Sequence, residues 1–192
     1  MFRGLCITQL IAIFALTASW ALETHRLIKR YDGADIAQDI VHAIEENTVA
    51  ITVSQTPALE YLVPTVNLHD FNTKYVVFKD IEHGVCLLTY APIPFATPSI
   101  YKLGKTNLTL AYTAEVQYKI LSRNEIRLRA GSNIDDFCAD YKTLWMDLTP
   151  KHDNKLVKRG EDEPEPCAAF CGSCLVQIDK GYQKVGAANM LG

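Results

Sequence analysis

The sequence has no excess of positive charge and no motif for phosphate binding. Lys and Arg number 19 against 22 Asp and Glu, which gives a formal net charge of −3. Nucleic-acid-binding surfaces usually carry a basic stripe, whereas the basic residues here are scattered among acidic ones. The glycines form no phosphate-binding loop, and the dispersed histidines make no Ser–His–Asp arrangement. We therefore predict a protein that is not an enzyme, uses no cofactor or metal, and binds no nucleic acid.

Residues 1–21 have the pattern of a secretory signal peptide. Arg3 precedes an apolar run from Leu5 to Leu16, and Ser19 and Ala21 put small residues at the recognition positions of signal peptidase. The alternative is a signal anchor, but a spanning helix needs about 20 apolar residues and this run is shorter. We predict cleavage after Ala21, secretion, and no stable membrane span in the mature chain.

The cysteine count is high, as in secreted proteins. Removing Cys6 with the signal leaves 6 − 1 = 5 cysteines, so one thiol is free or pairs with another molecule. Three of the five form a C-terminal cluster: Cys167, Cys171 and Cys174. We predict one disulfide within this cluster, of unassigned pairing, and a disulfide-linked homodimer through the third thiol. A redox C-x-x-C motif and a zinc site are weaker interpretations, because the βαβ context and a fourth ligand are missing.

Composition and periodicity divide the chain into five segments. Residues 34–46 carry isoleucines and a valine at helical spacing, which predicts an amphipathic helix. From Thr48 onward the period changes to two, which predicts strands. The predicted segments are a signal peptide (1–21), a linker with an amphipathic helix (22–47), a domain (48–150), a linker with a dibasic site (151–166) and a Cys-rich tail (167–192).

The clearest strand pair within the domain is a hairpin. Lys74–Phe78 and Val85–Tyr90 are both strongly β-forming and are joined by a link that ends in Gly84. Both runs are apolar on both faces, which places the hairpin at the centre of a sheet. Pro64 predicts an edge or broken strand nearby. The Ser132–Asp135 stretch resembles a capping box that would open a short helix holding Cys138.

The order of these features resembles the BRICHOS domain family. The matching elements are an Asp after a strand, a cysteine sixteen positions later, a proline-bearing segment, a second-cysteine helix and a final strand. In this chain they are His69-Asp70-Phe71, Cys86, Pro92 to Pro98, Ile134 to Cys138, and Lys142 to Trp145.

The resemblance implies an α+β fold for residues 48–150. The expected architecture is a mixed β-sheet of about five strands flanked by two short helices, with the small Cys-rich tail behind it. The resemblance also implies a Cys86–Cys138 disulfide and makes Asp70 the characteristic family carboxylate, buried near that disulfide. A bridge that closes a loop of about 50 residues stabilises the fold by roughly 4 kcal/mol in the chain-entropy model.

The function that the resemblance implies is that of an ATP-independent chaperone. One face of the sheet would bind extended, aggregation-prone or unfolded polypeptide segments and so assist folding or secretion of the precursor or of a client. The expected client contacts lie in the hairpin: Tyr75, Val77, Phe78, Leu87 and Leu88. The alternative is a peptide precursor whose tail, residues 160–192, is released by cleavage after Arg159.

Two surface modifications are also predicted. Asn107-Leu-Thr109 is an N-glycosylation sequon and follows a break at Gly104, where a surface loop is expected. Lys158 and Arg159 form the dibasic processing site of the peptide-precursor hypothesis.

Overall fold

The computed structural model of the 192-residue chain describes residues 22–91, 110–151, 166–170 and 174–187. Most of these residues belong to one sheet of ten strands. The strands are β1 (Leu22–Tyr31), β2 (Ala34–Ala43), β3 (Thr48–Val53), β4 (Thr65–Asp70), β5 (Tyr75–Asp80), β6 (Val85–Tyr90), β7 (Leu110–Leu121), β8 (Lys142–Lys151), β9 (Pro166–Phe170) and β10 (Cys174–Asp179). The described helices are α1 (Arg123–Ala130), α2 (Ser132–Phe137), a 3-10 helix (Lys180–Tyr182) and α3 (Gln183–Ala187).

The sheet is mixed, and its spatial order is β1-β2-β3-β4-β5-β6-β8-β7-β10-β9. Strands β1 to β6 form an antiparallel meander, and β8 joins β6 in parallel. Strand β7 then pairs antiparallel with β8 and parallel with β10. A mixed sheet with a few short helices agrees with the expected class, but the expectation of about five strands is wrong, because the sheet has ten.

The ten strands do not form a flat sheet, because β9 and β10 are buried on both faces. Val176 packs in the same cluster as Phe78 and Leu87 of the central hairpin. Leu175 follows Cys174 and lies on the opposite face of β10. It packs with Ile40 of β2 and with side chains of β3. The sheet therefore curves until its early strands cover the outer side of the tail strands.

The predicted helix over 34–46 is wrong, since residues 34–43 form β2 and the predicted linker contributes β1. The two strands meet at Asp32-Gly33, where φ is +47° and +79°, as a type I′ hairpin turn requires. Ile36 and Ile40 are four residues apart, which places them on one face of a helix and equally on one face of a strand. Both are buried on the inner face of the sheet, so this spacing did not distinguish the two periods.

The predicted hairpin at the sheet centre is confirmed, with β5 and β6 flanked by β4 and β8. The break at Pro64 is also present, but β4 is an interior strand paired on both sides. The stretch before Pro64 pairs elsewhere: the N–H of Val63 donates to the Ala168 carbonyl of β9 over 2.8 Å.

The helix that carries the second cysteine is present, although its predicted start is wrong. Ser132 is the first helical residue of α2 rather than its N-cap, and Cys138 follows the last turn. A true capping box opens α1, a helix that the sequence did not predict. There the Ser122 side chain accepts from the N–H of Glu125, and the Glu125 carboxylate accepts from the N–H of Ser122.

Candidate functional site: the tail hairpin within the sheet

The C-terminal tail lies in the sheet as an inserted strand pair. Strand β10 runs parallel to β7, with Cys174 opposite Leu110 and Gln177 opposite Thr113. Its other side pairs antiparallel with β9. The far edge of β9 is hydrogen-bonded in turn, because the N–H of Ala168 donates to the Tyr61 carbonyl over 2.8 Å. The extended backbone of the tail is thus paired on both sides.

The side chains of this strand pair are buried on both faces. Those on one face pack with the hairpin β5–β6 and with β7 and β8, and those on the other pack with β2 and β3. Val176 and Ile178 are at most 1% exposed, and Leu175 is 2% exposed. Burying one large aliphatic side chain contributes about 1.5–3 kcal/mol, so the tail contributes substantially to the stability of the whole sheet.

A buried polar contact links the tail to the turn of the central hairpin. The Tyr182 hydroxyl donates to Oδ2 of Asp80 over 2.9 Å, and both residues are 1% exposed. Nδ1 of His83 lies 2.8 Å from the same carboxylate oxygen, and the His83 N–H donates to the other oxygen over 3.1 Å. Burial, followed by the nearby Cys167 and Asp80, raises the pKa of Tyr182, so the hydroxyl remains a donor.

The end of the tail is fixed by further contacts. Asp179 caps the 3-10 helix, accepting from the N–H of Gly181 over 2.8 Å. A Cβ atom at Gly181 would lie 2.5 Å from the Tyr118 hydroxyl, so a larger residue there would displace the exposed Tyr118 side chain. The Lys142 ammonium donates to the Val185 carbonyl over 2.6 Å. Strands β7 and β8 therefore hold the tail beyond its paired residues.

The tail cysteines differ in state. Cys167 is free and fully buried, and its Sγ lies 3.4 Å from the Ile178 carbonyl oxygen. Burial raises its pKa to about 12, so the thiol stays neutral and is a poor nucleophile. Cys174 is in a disulfide whose second cysteine is outside the described residues. A disulfide-linked dimer through Cys167 would require β9 to leave the sheet.

The opposite face of the central hairpin is covered by α1 and α2. The Cys86–Cys138 disulfide is present, as predicted, and joins β6 to the end of α2. Asp135 of α2 has a fully buried side chain that accepts from Arg123 over 2.8 Å and from Arg127 over 2.6 Å. Hydrogen bonds from Arg123 lead the causes that hold the pKa of Asp135 below its usual range.

The five predicted client contacts do not form one surface. Because side chains alternate along a strand, Val77 and Leu88 pack under the helices while Phe78 and Leu87 face the tail. All four are at most 2% exposed. Tyr75 is the accessible member and packs edge-on against the rings of Tyr90 and Trp145. The prediction of one shared contact face in this hairpin is therefore wrong.

Asp70 is buried, at 4% exposure, and its described hydrogen bonds are local. Its Oδ1 accepts from the N–H groups of Asn72 and Thr73, over 2.8 and 3.1 Å. The carboxylate thereby closes the turn between β4 and β5, as an Asp at a strand end commonly does.

Four predicted site residues lie outside the described part of the chain: Asn107, Lys158, Arg159 and Cys171. Conversely, no sequence pattern indicated the contact between Asp80 and Tyr182, since 102 positions separate the two residues. The one local signal was the polar link after β5, in which Asp80 and His83 flank a turn.

Within the described ranges, no three His, Cys, Asp or Glu side chains are grouped so as to bind a metal. No helix in these ranges has the length and hydropathy that crossing a membrane requires. The extended tail of this chain occupies a strand position beside β7 and is covered on both faces, with the Asp80 carboxylate at its end. No family model, curated protein or solved structure matches this chain.

Proposed function

We propose that this chain is a secreted BRICHOS-type protein that binds extended, aggregation-prone segments without ATP. In this proposal it assists the folding or secretion of its own precursor or of a client. The observation that carries the proposal is the tail hairpin: an extended segment of the same chain occupies a parallel strand position beside β7. The layout of central hairpin, disulfide and second-cysteine helix is a second support.

The physical basis is that a β-prone segment outside a fold has neither its backbone groups paired nor its apolar side chains buried. Such a segment exposes unpaired backbone groups and apolar side chains, and both promote assembly into fibrils. The position occupied by β10 provides both pairing and burial. Strands β7 and β9 pair its backbone, and apolar side chains cover Leu175 and Val176. Binding of this kind uses strand addition and burial and requires no nucleotide.

The second candidate is a peptide precursor. Lys158-Arg159 falls in the connection between the end of β8 and the start of β9, so cleavage there would separate the tail covalently from the rest of the sheet. Residues 160–192 would then stay bound non-covalently until the buried strand pair opened. The tail's excess of acidic residues disfavours a membrane-disrupting peptide.

The chaperone proposal is tested with the full secreted chain, because β1, β2 and the tail strands belong to one sheet with residues 48–150. Several amyloid peptides are incubated with substoichiometric amounts of the protein, and fibril growth is followed by dye fluorescence. We expect a longer lag or slower elongation. Unchanged kinetics for all the peptides would overturn the chaperone proposal.

Mass spectrometry of the secreted product distinguishes the two candidates. An intact chain beginning at Leu22 and retaining residues 160–192 favours the chaperone. Recovery of a separate peptide beginning at Gly160 favours the precursor. A variant with Lys158→Ala and Arg159→Ala is the matched control, since it should yield the intact chain under either hypothesis.

A further inference from the structure

Strand β1 presents a long open edge. It pairs with β2 along all of Leu22–Tyr31 and with no other strand in the described part of the chain. In a two-residue type I′ hairpin the flanking residues, here Tyr31 and Ala34, form a hydrogen-bonded pair. Odd-numbered residues of β1 therefore direct their N–H and C=O groups toward β2. The even-numbered residues, from Leu22 to Arg30, direct theirs toward the open edge.

This edge lacks three of the usual protections of an edge strand. Natural edges are blunted by bulges, prolines or short length, whereas β1 is ten residues long, contains no proline and pairs with β2 in uninterrupted register. Its outward face also exposes two large aliphatic side chains, with Leu22 at 58% and Ile28 at 63%. Such an edge can accept a further strand.

The inner face of β1 carries complementary charges. The Lys29 ammonium is shielded from solvent, and within the described residues it has no hydrogen-bond partner; burial lowers its pKa. Glu23 lies six residues earlier on the same face. Its carboxylate lies 4.0 Å from Nε2 of His25 and 3.8 Å from Nδ1 of His42. An added strand could therefore bring Lys29 the carboxylate it lacks.

We propose that a second copy of this chain binds at the open edge, with the two β1 strands antiparallel about a two-fold axis through Arg26. In this register Glu23 lies opposite the partner's Lys29, and symmetry repeats the ion pair. Directly opposite residues of an antiparallel pair share a face, so both charges lie on the inner face. Each Arg26 meets its symmetry mate, but each is already near Asp39 of its own chain, at 3.7 Å.

Neighbouring registers fit less well. A shift of one residue would put inner-face side chains opposite outer-face ones. A shift of two residues in one direction sets Lys29 opposite the partner's His25. In the other direction it sets Glu23 opposite the partner's Leu27 and leaves Lys29 beyond the paired residues. The register through Arg26 is the one that pairs both charges.

Sedimentation equilibrium of the full secreted chain tests the proposal. We expect a concentration-dependent monomer–dimer equilibrium. Lys29→Glu alone, or Glu23→Lys alone, should weaken dimerisation by roughly tenfold, because each places like charges opposite one another twice. The double variant should recover wild-type association, since both pairs are rebuilt with reversed polarity. A monomer at every concentration, or a double variant no better than the single ones, would overturn the proposal.

A pair of proline variants tests the edge without changing charge. Ile28→Pro removes an N–H that faces the open edge, so it should abolish dimerisation while leaving the sheet folded, as judged by circular dichroism. Leu27→Pro removes an N–H that bonds to β2 and should damage the hairpin itself. If the folded Ile28→Pro chain dimerises like wild type, β1 is not the interface.

Discussion

The two faces of the central hairpin β5–β6 are covered in different ways. On one face, α1 and α2 are fastened by the Cys86–Cys138 disulfide and by a buried Asp135 shared between two arginines. On the other face, the tail strands are held by backbone pairing, apolar burial and the Tyr182–Asp80 hydrogen bond. In the described part of the chain no covalent bond joins the tail strands to the hairpin.

The difference indicates which of the two coverings, the helices or the tail strands, is the easier to displace from the hairpin. A disulfide keeps the helix cover close to the sheet even when its other contacts open. Strand pairing and apolar burial vanish together when a strand leaves, and they re-form with any strand of suitable sequence. Under the proposed function, the tail side is therefore the face on which a client segment would replace the tail.

The largest effect on stability is expected from removing the disulfide that fastens the helices to the hairpin. Replacing Cys86 and Cys138 by Ala should reduce the free energy of unfolding by about 2–5 kcal/mol, because the bridge spans 52 residues and constrains the unfolded chain. Urea denaturation measures the loss.

Cys167→Ala is the matched control, since it removes a buried thiol that forms no bridge and should cost less. Peptide mapping under non-reducing conditions checks the pairing directly. A Cys86 found linked to a tail cysteine would contradict the structure.

As the pH falls, the face of the sheet covered by the tail should lose stability before the face covered by the helices. Burial lowers the pKa of His69 to about 3, against about 6.5 when unfolded. Between these values the unfolded chain binds the extra proton, so stability rises with pH there and is lost as pH falls below about 6.5. Going from pH 7 to pH 5 should cost about 2 kcal/mol, at 1.4 kcal/mol per unit of pH below 6.5.

The helix face should not contribute to this loss. The pKa of Asp135 is lowered in the fold, so the stability it adds is present above its unfolded value of about 4 and is lost only in stronger acid. Urea denaturation at pH 7 and pH 5 measures the effect, and His69→Gln should remove most of the slope. An unchanged slope in that variant would contradict the assignment to His69.

Loosening the tail alone sharpens the comparison further. Tyr182→Phe removes the hydroxyl that donates a hydrogen bond to Asp80 and should cost about 1.5–3 kcal/mol, the usual loss for a hydrogen bond to a charged group. Hydrogen exchange should accelerate in β9 and β10 and remain unchanged in α1 and α2. Equal acceleration on both faces would show that the covers open as one unit.

The smallest effect is expected from the helix cap. Ser122→Ala removes the side chain that accepts from the N–H of Glu125 and should cost about 1 kcal/mol, confined to α1. Ser132→Ala is a close control, because Ser132 lies inside α2 and makes no capping bond. A larger loss at Ser132 than at Ser122 in thermal denaturation would contradict the observed cap positions.

Local patterns predicted the structure around the central hairpin. The β-forming runs around Gly84 predicted the hairpin, and its doubly apolar strands predicted its place at the centre of the sheet. Strand β7 shows the period-two alternation of apolar and polar residues from Tyr112 to Ile120. The resemblance, rather than any local pattern, supplied the Cys86–Cys138 pairing.

Pairing between distant segments was not predictable in the same way. Asp32-Gly33 carried the signal for the β1–β2 hairpin, but the spacing of Ile36 and Ile40 suits two periods, and the helix was chosen. The Leu175–Ile178 run is only mildly β-prone, and its strand state depends on β7 and β9. The partnership of Asp80 with Tyr182 has no sequence signal, because it exists only once the tail is folded into the sheet.

The parallel pairing of β10 with β7 also determines the order in which the sheet can form during synthesis. Strands β1 to β6 pair with their neighbours in sequence, whereas Cys174 pairs with Leu110, which lies 64 positions earlier in the chain. Contacts between distant segments form late, because they require the closing of a long loop. Until residues 166–187 leave the ribosome, the β7 edge and the inner faces of β2 and β3 stay uncovered. A chain truncated before Pro166 would keep these surfaces uncovered and would be prone to aggregation.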